Sequence, residues 1–352
     1  MKTIQEYTVI KKSETLILEA SSWEEIIVSI RNNYVKVLWV IDKKVRPLIS
    51  LDSLDKIIEI DSGEQCKTLC GFEQLVRILA DMEFDRTGHI VAVGGGSISD
   101  LVGFVASVYL RGISFSIVPS TFLSLIDASM GGKNGINYST KKNQLGTLHQ
   151  PSSIYYLPGL IAHLPIDEMA DGFAESIKYG LILDQRLFEK LEARSLEKII
   201  ENKEDFNEII NSCIIHKSNI VKEDPFEYDR RRILNYGHTI GHAIESIYGL
   251  SHGKSVGLGM YFAAKLSEIF YGLDLNLAEK IRQILPAYNL PIRLEVFSAQ
   301  AIFQKIVSDK KRENEDIHFV MLEKIGRARI EKISLTSLKE YLNTAEREKW
   351  MC

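Results

Sequence analysis

The chain has 352 residues, 45% of them hydrophobic and 26% charged, with a formal net charge of -4. That length exceeds one comfortable core and predicts two domains, and the near-neutral balance gives no electrostatic ground for nucleic acid or an anionic membrane as a partner. No apolar run approaches the roughly 18 residues of a membrane span, and the first twenty residues lack the apolar centre of a signal peptide.

In chain order, VKVLWVID (35–42) is a continuous apolar run ending in an acid, as in a parallel strand buried on both faces. KIIEI (56–60) is a second such run, followed by SGEQCKT and the helical GFEQLVRILADM. HIVAV (89–93) runs into the turn GGGSISD and the apolar helix LVGFVASVYL, and SFSIVPS (114–120) is a fourth strand. Strands alternating with helices predict an open α/β sheet, whose ligands bind beyond the carboxyl ends of the strands. Asp42, the GGGS turn and Ser120-Thr121 fall there.

Gly94, Gly95 and Gly96 let the backbone approach a pyrophosphate at the positive end of a helix. A dinucleotide fingerprint would put glycine at 99, where Ser99 stands, so a tight structural turn is the alternative. Asp100 would repel phosphate; it suits a ribose or nicotinamide, or a helix cap. The polar, glycine-dotted segment 111–151 carries Arg111, Asp127, Lys133, Lys142 and Asn143, a lining suited to an anionic substrate. A solvated loop is the alternative, stronger for Lys141 than for Lys133 in its GGKNG turn.

From Pro165 the pattern turns helical, near 167–183, 185–201, 204–222, 232–248, 255–271 and 276–287, with a short strand pair near 317–332 and a last helix from 335. This predicts an α/β domain over 1–160 and a helical domain over 161–352. DGFAESIKYG places Glu175 and Lys178 on one helix face. In RRILNYGHTIGHAIESIYGLSHGKSVGLGM (231–260), Ile233, Tyr236, Ile240, Ile244 and Ile247 imply one largely buried helix. His238 and His242 share a face with Glu245, and His252 follows in the turn that ends the helix. Three imidazoles within fifteen residues have the spacing of a metal site. Locally His238 and His242 both read as ligands, with Glu175 a candidate third; a polar face with capping histidines is the blander alternative. Gly237 and Gly241 each cost a helix interior roughly 1 kcal/mol against Ala, which is expected where a ligand or another backbone comes close. Cys66, Cys70, Cys213 and Cys352 read as free thiols of a reducing cytoplasm.

Together, SGEQCKT, GGGSISDLVGFVA, YLRG, VPSTFL, DASMGGKNGIN, KKNQLG, GFAESIKYG, RRILNYGHTIGHAIE, HGKSVGLGM and SDKK give the chain, from about residue 42 to 326, an order that resembles the sugar phosphate cyclase family. It is most similar to the 3-dehydroquinate synthase branch. The resemblance implies an α/β NAD-binding domain and an all-helical metal-binding domain enclosing an active site. It also implies a cytoplasmic homodimer and a phosphate-eliminating lyase of the shikimate pathway. In that family a hydroxyl of a seven-carbon keto-acid sugar phosphate (DAHP) is transiently oxidised with bound NAD. Phosphate then leaves, the ketone is reduced again, and the opened ring closes by an aldol step.

The residues implied by the resemblance follow by position. Glu175, His238 and His252 would hold Zn²⁺ or Co²⁺, leaving His242 to face the substrate and assist proton transfer with Lys133, Lys178 and Asn235. Asp127, Asn143, Lys217, Arg231 and Lys310 would bind substrate, with Arg111 supplied by the neighbouring subunit. NAD would meet Asp42, Glu64, Lys67, Gly95, Gly96, Ser97, Asp100, Ser120, Thr121, Lys133 and Lys142. Arg231 suits a substrate carboxylate that neutral sugar phosphates lack. The lysines and arginine argue against a glycerol-type alcohol dehydrogenase, which shares the glycine turn but needs no such charge. Ser99, Lys141, Leu148 and Lys254 stand where the family usually has glycine, glycine, an aromatic residue and glutamate.

Overall fold

The computed structural model describes residues 13–53, 55–139, 141–272, 276–309 and 316–351, so Lys310 lies outside the described residues. The chain divides into two compact units. One runs to Ser120 and resumes over Gly131–Ala162; the other comprises Thr121–Met130 and His163 onward.

The first unit contains β1 (Leu16–Glu19), α1 (Trp23–Asn33), β2 (Val37–Asp42), β3 (Lys56–Ile60), α2 (Leu69–Asp81), β4 (His89–Gly94), α3 (Gly96–Val108), β5 (Ser114–Pro119), β6 (Lys133–Tyr138), β7 (Lys141–Leu148), β8 (Ser153–Tyr156) and α4 (Pro158–Ile161). Six strands form a parallel sheet in the order β1-β8-β5-β4-β2-β3. Alternate residues of the apolar runs feed opposite faces. Trp39, Ile41, Val91, Val93 and Val118 pack with Trp23, Ile26 and Ile30 of α1. Leu38, Val40, Ile90, Ala92 and Ile117 pack with Leu75, Leu79, Leu101 and Val105 of α2 and α3. The four strands read from the sequence form the middle and one edge of this sheet, while the short β1 and β8 add the other side. The glycine-dotted segment, for which a solvated loop is the alternative reading, contains an antiparallel hairpin, β6 with β7. Most of β7 is exposed on both faces, so it has no alternation for a pattern to reveal.

The second unit contains α5 (Ile166–Leu183), α6 (Gln185–Glu192), α7 (Leu196–Glu201), α8 (Lys203–Glu223), α9 (His238–Tyr248), α10 (His252–Tyr271), α11 (Leu277–Ala287), α12 (Ala299–Asp309), the strands β9 (Asp316–Lys324) and β10 (Arg327–Ser334), and α13 (Leu335–Arg347). The two strands pair antiparallel. α5 is buried almost throughout its length. The helix expected over 185–201 is two helices, and α12 had no counterpart in the sequence reading.

The helix expected over 232–248 also breaks. Arg230–Asn235 forms a tight 3₁₀ segment, and α9 starts afresh at His238 behind Gly237, whose φ is +77°. Gly237 is thus a left-handed N-cap, not an interior residue. Gly241 is interior, and another backbone is indeed what approaches it. A Cβ there would lie 3.0 Å from Ser255 O, and one on Gly259 would lie 2.0 Å from Gly237 O. No helix among the described residues is long and apolar enough to cross a membrane.

Candidate active site

Three helices of the second unit each contribute one ligand-bearing side chain. Glu175 is wholly buried in the middle of α5, while His238 and His252 are the first residues of α9 and α10. Their ligand atoms all lie within 4.8 Å of one another. His238 Nε2 is 3.3 Å and His252 Nε2 3.2 Å from the same oxygen, Glu175 Oε1. The other ring nitrogens set the tautomers. His238 Nδ1–H donates to Tyr236 O at 3.0 Å, and His252 Nδ1 faces Glu245 Oε2 at 3.4 Å. Both Nε2 lone pairs then aim at a carboxylate oxygen, an arrangement that repels itself unless a cation sits between them. Two imidazoles oriented by oxygen partners and one carboxylate suit a divalent ion with open positions.

Electrostatics agree with that demand. Burial alone would raise the Glu175 carboxyl, but the charges of Lys178 and His238 hold it well below the ordinary range. Burial would lower His252, yet Glu175 and Glu245 raise it to about 10, so without a metal a proton takes the cation's place. His242 stays outside the triad although its ring centroid, 5.2 Å from that of His238, is as near as that of His252 at 5.3 Å; what separates it is that its nitrogens do not gather with the other two on the Glu175 carboxylate. The group that could hold a metal ion thus joins His238 to His252, from the next helix, and not to His242 four residues on. The His242 ring is exposed by surface area although protein surrounds it, as for a side chain lining a concavity. Desolvation, then His238 and His252, push it toward the neutral form.

α5 continues the site past the triad. Lys178 is buried and pairs with Glu175 Oε2. Tyr179 OH donates to Asp127 Oδ1 at 2.8 Å, and Lys217 Nζ reaches the same oxygen at 2.5 Å. Asp127 is carried on a single π turn, Ser124–Ala128, a feature that often marks functional sites. Burial would raise Asp127, but Lys217 and Lys178 hold it at about 2, so it stays ionised. Arg231 is buried, its backbone N–H donating to Asp224 Oδ2 at 3.0 Å and its Nη1 to Pro225 O at 2.8 Å. Asn235 Nδ2 donates to Glu227 Oε1 at 2.8 Å. Because of the break at Gly237, Arg231, Asn235 and His238 do not share one α-helical face. Tyr179, Glu227 and Asp224 were not singled out from the sequence; only Tyr179 left a trace, one helical turn after Glu175.

In the first unit a polar cluster forms at the carboxyl ends of the strands. Lys67, 3% exposed, donates to Asp100 Oδ2 at 2.7 Å and to Asn143 Oδ1 at 2.6 Å. Asn143, expected beside the substrate, thus meets the cofactor candidates through Lys67. Asn137 ties Glu64 to the group, donating to Oε2 at 2.6 Å. Ser97 Oγ accepts from Gly63 N at 3.0 Å. Asp100 lies in the second turn of α3, so it does not cap the helix; α3 opens at Gly95 with no side-chain cap. That leaves the positive helix end to a ligand and fits a pyrophosphate. Asp42 is buried at the end of β2, and Ser120 follows β5 with its N–H on Gly94 O at 3.0 Å. Thr121 opens the second unit's short segment, its Oγ1 accepting from Ser124 N at 3.1 Å. Lys133 and Lys142 lie on the hairpin, and Arg111 is exposed with φ +66°.

Two of the four departures from the family pattern find partners. Ser99 Oγ returns a bond to Gly95 O at 3.2 Å inside α3, and Lys254 turns toward Asp167 at 3.8 Å instead of the triad.

A parallel α/β unit with an uncapped glycine turn, together with a helical unit carrying a His₂Glu triad among buried lysines, defines a class of nucleotide- and metal-dependent enzymes acting on anionic substrates. Family models described as 3-dehydroquinate synthase N-terminal and C-terminal match residues 57–171 and 172–312. The 3-dehydroquinate synthase of Thermodesulfovibrio yellowstonii is 39% identical over 292 residues, covering 82% of this chain and 81% of that one. A crystal structure of 2-deoxy-scyllo-inosose synthase complexed with carbaglucose-6-phosphate, NAD⁺ and Co²⁺ is 25% identical with a TM-score of 0.81, covering 93% of this chain and 96% of that one. The 2-epi-5-epi-valiolone synthase from Streptomyces hygroscopicus subsp. jinggangensis, solved with NAD⁺ and Zn²⁺, shares the fold at 22% identity and a TM-score of 0.85, covering 97% of this chain and 100% of that one. The chain belongs to the 3-dehydroquinate synthase family.

Proposed function

We propose that this chain is a phosphate-eliminating carbon–oxygen lyase that cyclises a seven-carbon keto-acid sugar phosphate (DAHP), the 3-dehydroquinate synthase reaction of the shikimate pathway. The observation that carries the reading, beyond family membership, is charge. Lys178 and Lys217 are buried in pairs with Glu175 and Asp127, and Arg231 is buried beside them. Burying cations is costly unless an anion meets them, and a substrate with both phosphate and carboxylate does so. A small neutral alcohol calls for none of these cations.

Glu175, His238 and His252 would hold Zn²⁺ or Co²⁺, and the first unit's glycine turn with Asp42, Glu64, Lys67, Asp100, Ser120, Thr121 and Lys142 would hold NAD. When bound, such an ion would polarise a substrate hydroxyl, and NAD would reversibly accept its hydride. The chain's own groups do the rest. Arg231 orients the carboxylate, and Lys133, Lys178 and Lys217 hold anionic oxygens. Neutral His242, at the concave surface, exchanges a proton with the substrate, and Asn235 and Asn143 donate to its hydroxyls. Arg111 would reach a partner's site in a homodimer. Val108, Leu110 and Leu148 are exposed apolar residues. Thr147 Oγ1 bonds Ser107 Oγ at 2.7 Å, which draws the Leu148 end of β7 toward the α3 C-terminus near Arg111. The free thiols of Cys66, Cys70 and Cys213 support a reducing cytoplasm.

The test is inorganic phosphate release, with and without NAD, across seven-carbon and six-carbon sugar phosphates. Release from the keto-acid phosphate should require NAD and accumulate no NADH. Stoichiometric NADH from a simple alcohol would promote a dehydrogenase, and preference for a phosphate without a carboxylate would assign another cyclase activity.

A further inference from the structure

We propose that Asp171 is a positioning residue for the metal centre: its carboxylate caps α10 from α5 and thereby fixes His252 against Glu175. Asp171 belongs to no ligand set, and its place follows from three contacts. Its Oδ1 accepts from Ser251 Oγ at 2.6 Å and from Gly253 N at 2.9 Å, one residue on either side of His252. Ser251, the N-cap residue of α10, makes no cap bond with its own side chain. It spends its hydroxyl on Asp171, and the capping carboxylate comes from another helix. A carboxylate satisfying a first-turn N–H also sits favourably at the positive helix end.

The second contact is backbone against backbone. A Cβ on Gly253 would lie 2.4 Å from Asp171 Cα and 2.9 Å from Asp171 O, so glycine is what lets α10 come this close to α5. The third is register. Asp171 and Glu175 are four residues apart on α5 and share a face, one docking the α10 backbone and the other meeting the His252 ring. Glu245 holds the far side of that ring. His252 is thus gripped through its backbone by Asp171 and through Nδ1 by Glu245, leaving Nε2 no freedom but to face Glu175.

The inference rests on reading Glu175, His238 and His252 as the metal ligands. It is tested on the full-length protein, stripped of metal and titrated with Zn²⁺ against a chromophoric chelator, with kcat at saturating Zn²⁺ and the melting temperature of the metal-free form as companion readouts. Partners that orient a ligand typically change metal affinity 10- to 100-fold when removed, and Asp171→Ala should weaken Zn²⁺ binding by about that much. Its kcat should recover at saturating metal. Asp171→Asn, which retains an acceptor oxygen, should lose less. Gly253→Ala keeps the carboxylate but forces the helices apart, so it should weaken Zn²⁺ as well; it and the asparagine variant decide the matter if Asp171→Ala does not fold. Lower metal-free melting temperatures with Zn²⁺ affinity unchanged in all three variants would mark a merely structural contact and overturn the proposal. His238→Ala in the same titration separates the two levels: Zn²⁺ affinity unchanged there overturns the ligand reading itself.

Discussion

Arg230 and Arg231 are neighbours in sequence and opposites in environment. Arg230 pairs with Glu223 at 2.6 Å, with both side chains about half exposed, at 53% and 51%. Arg231 is 3% exposed, tethered through its backbone to Asp224 and through its guanidinium to Pro225 O. A solvated helix start therefore describes Arg230 alone. Losing a charge-assisted contact to substrate costs roughly 1.5–3 kcal/mol, about 10- to 150-fold in kcat/KM. Arg231→Ala should show that loss with the keto-acid phosphate, and lysine should restore it only partly because a point charge lacks the planar fork. Arg230→Ala should stay near wild type; equal kinetics in the two alanine variants would remove Arg231 from the substrate site. At His242 the expected split is between metal and rate. His242→Ala should keep its metal by elemental analysis while turning over slowly, because its ring stands apart from the Glu175 oxygen that the other two histidines share.

Helices α9 and α10 cross with their backbones in contact, and this crossing sets the distance between His238 and His252. Gly259 meets Gly237 O at 2.0 Å from its would-be Cβ, and Gly241 meets Ser255 O at 3.0 Å. Gly259→Ala must displace backbone, so it should destabilise by at least the roughly 1–3 kcal/mol of an overpacked core, and metal content should fall with it. Gly241→Ala needs only a few tenths of an ångström and should be the milder variant by denaturant melts. The sequence made this crossing partly legible, because two glycines in a helical pattern signal a close approach. It put both glycines inside one helix, which holds for Gly241 and not for Gly237. Gly237 ends one helical segment and begins another, and its left-handed φ leaves no mark in hydrophobic spacing. The same limit hid β7, whose KKNQLGTL is exposed along nearly its whole length and shows no apolar alternation. It also kept His252 apart from His238 in the local reading, since the ligand set joins residues across three helices and periodicity reports one element at a time. The buried strands showed plainly, as apolar runs covered by helices on both faces.

At the scale of the molecule, the first unit should respond to acid and not to metal removal. Metal removal should act on the second, where the triad draws α5, α9 and α10 together. Acid should act on the first through His89, which is wholly buried on β4. Its Nδ1 lies 3.0 Å from Ser114 Oγ, its Nε2 2.9 Å from Ser116 Oγ, and Tyr34 stacks on the ring at 3.6 Å. Desolvation lowers its pKa from 6.5 to about 3, so the folded protein holds it neutral where an unfolded chain would protonate it. The linkage sign follows: above pH 6.5 neither state binds the proton and full stability is present. Between 6.5 and 3 the unfolded state binds more protons, so stability falls as pH falls, by about 2 kcal/mol at pH 5. His89→Gln, which cannot titrate, should be less stable at neutral pH yet show a flatter pH profile between 7 and 5. Hydrogen exchange locates both effects. Acid should speed exchange in β4 and β5 as well as around neutral His242 on α9, whereas a chelator at neutral pH should speed it in α9 and α10 and leave β4 and β5 unchanged. Acid-induced exchange in β4 and β5 that is identical in wild type and His89→Gln would show that another group carries the acid sensitivity of the sheet.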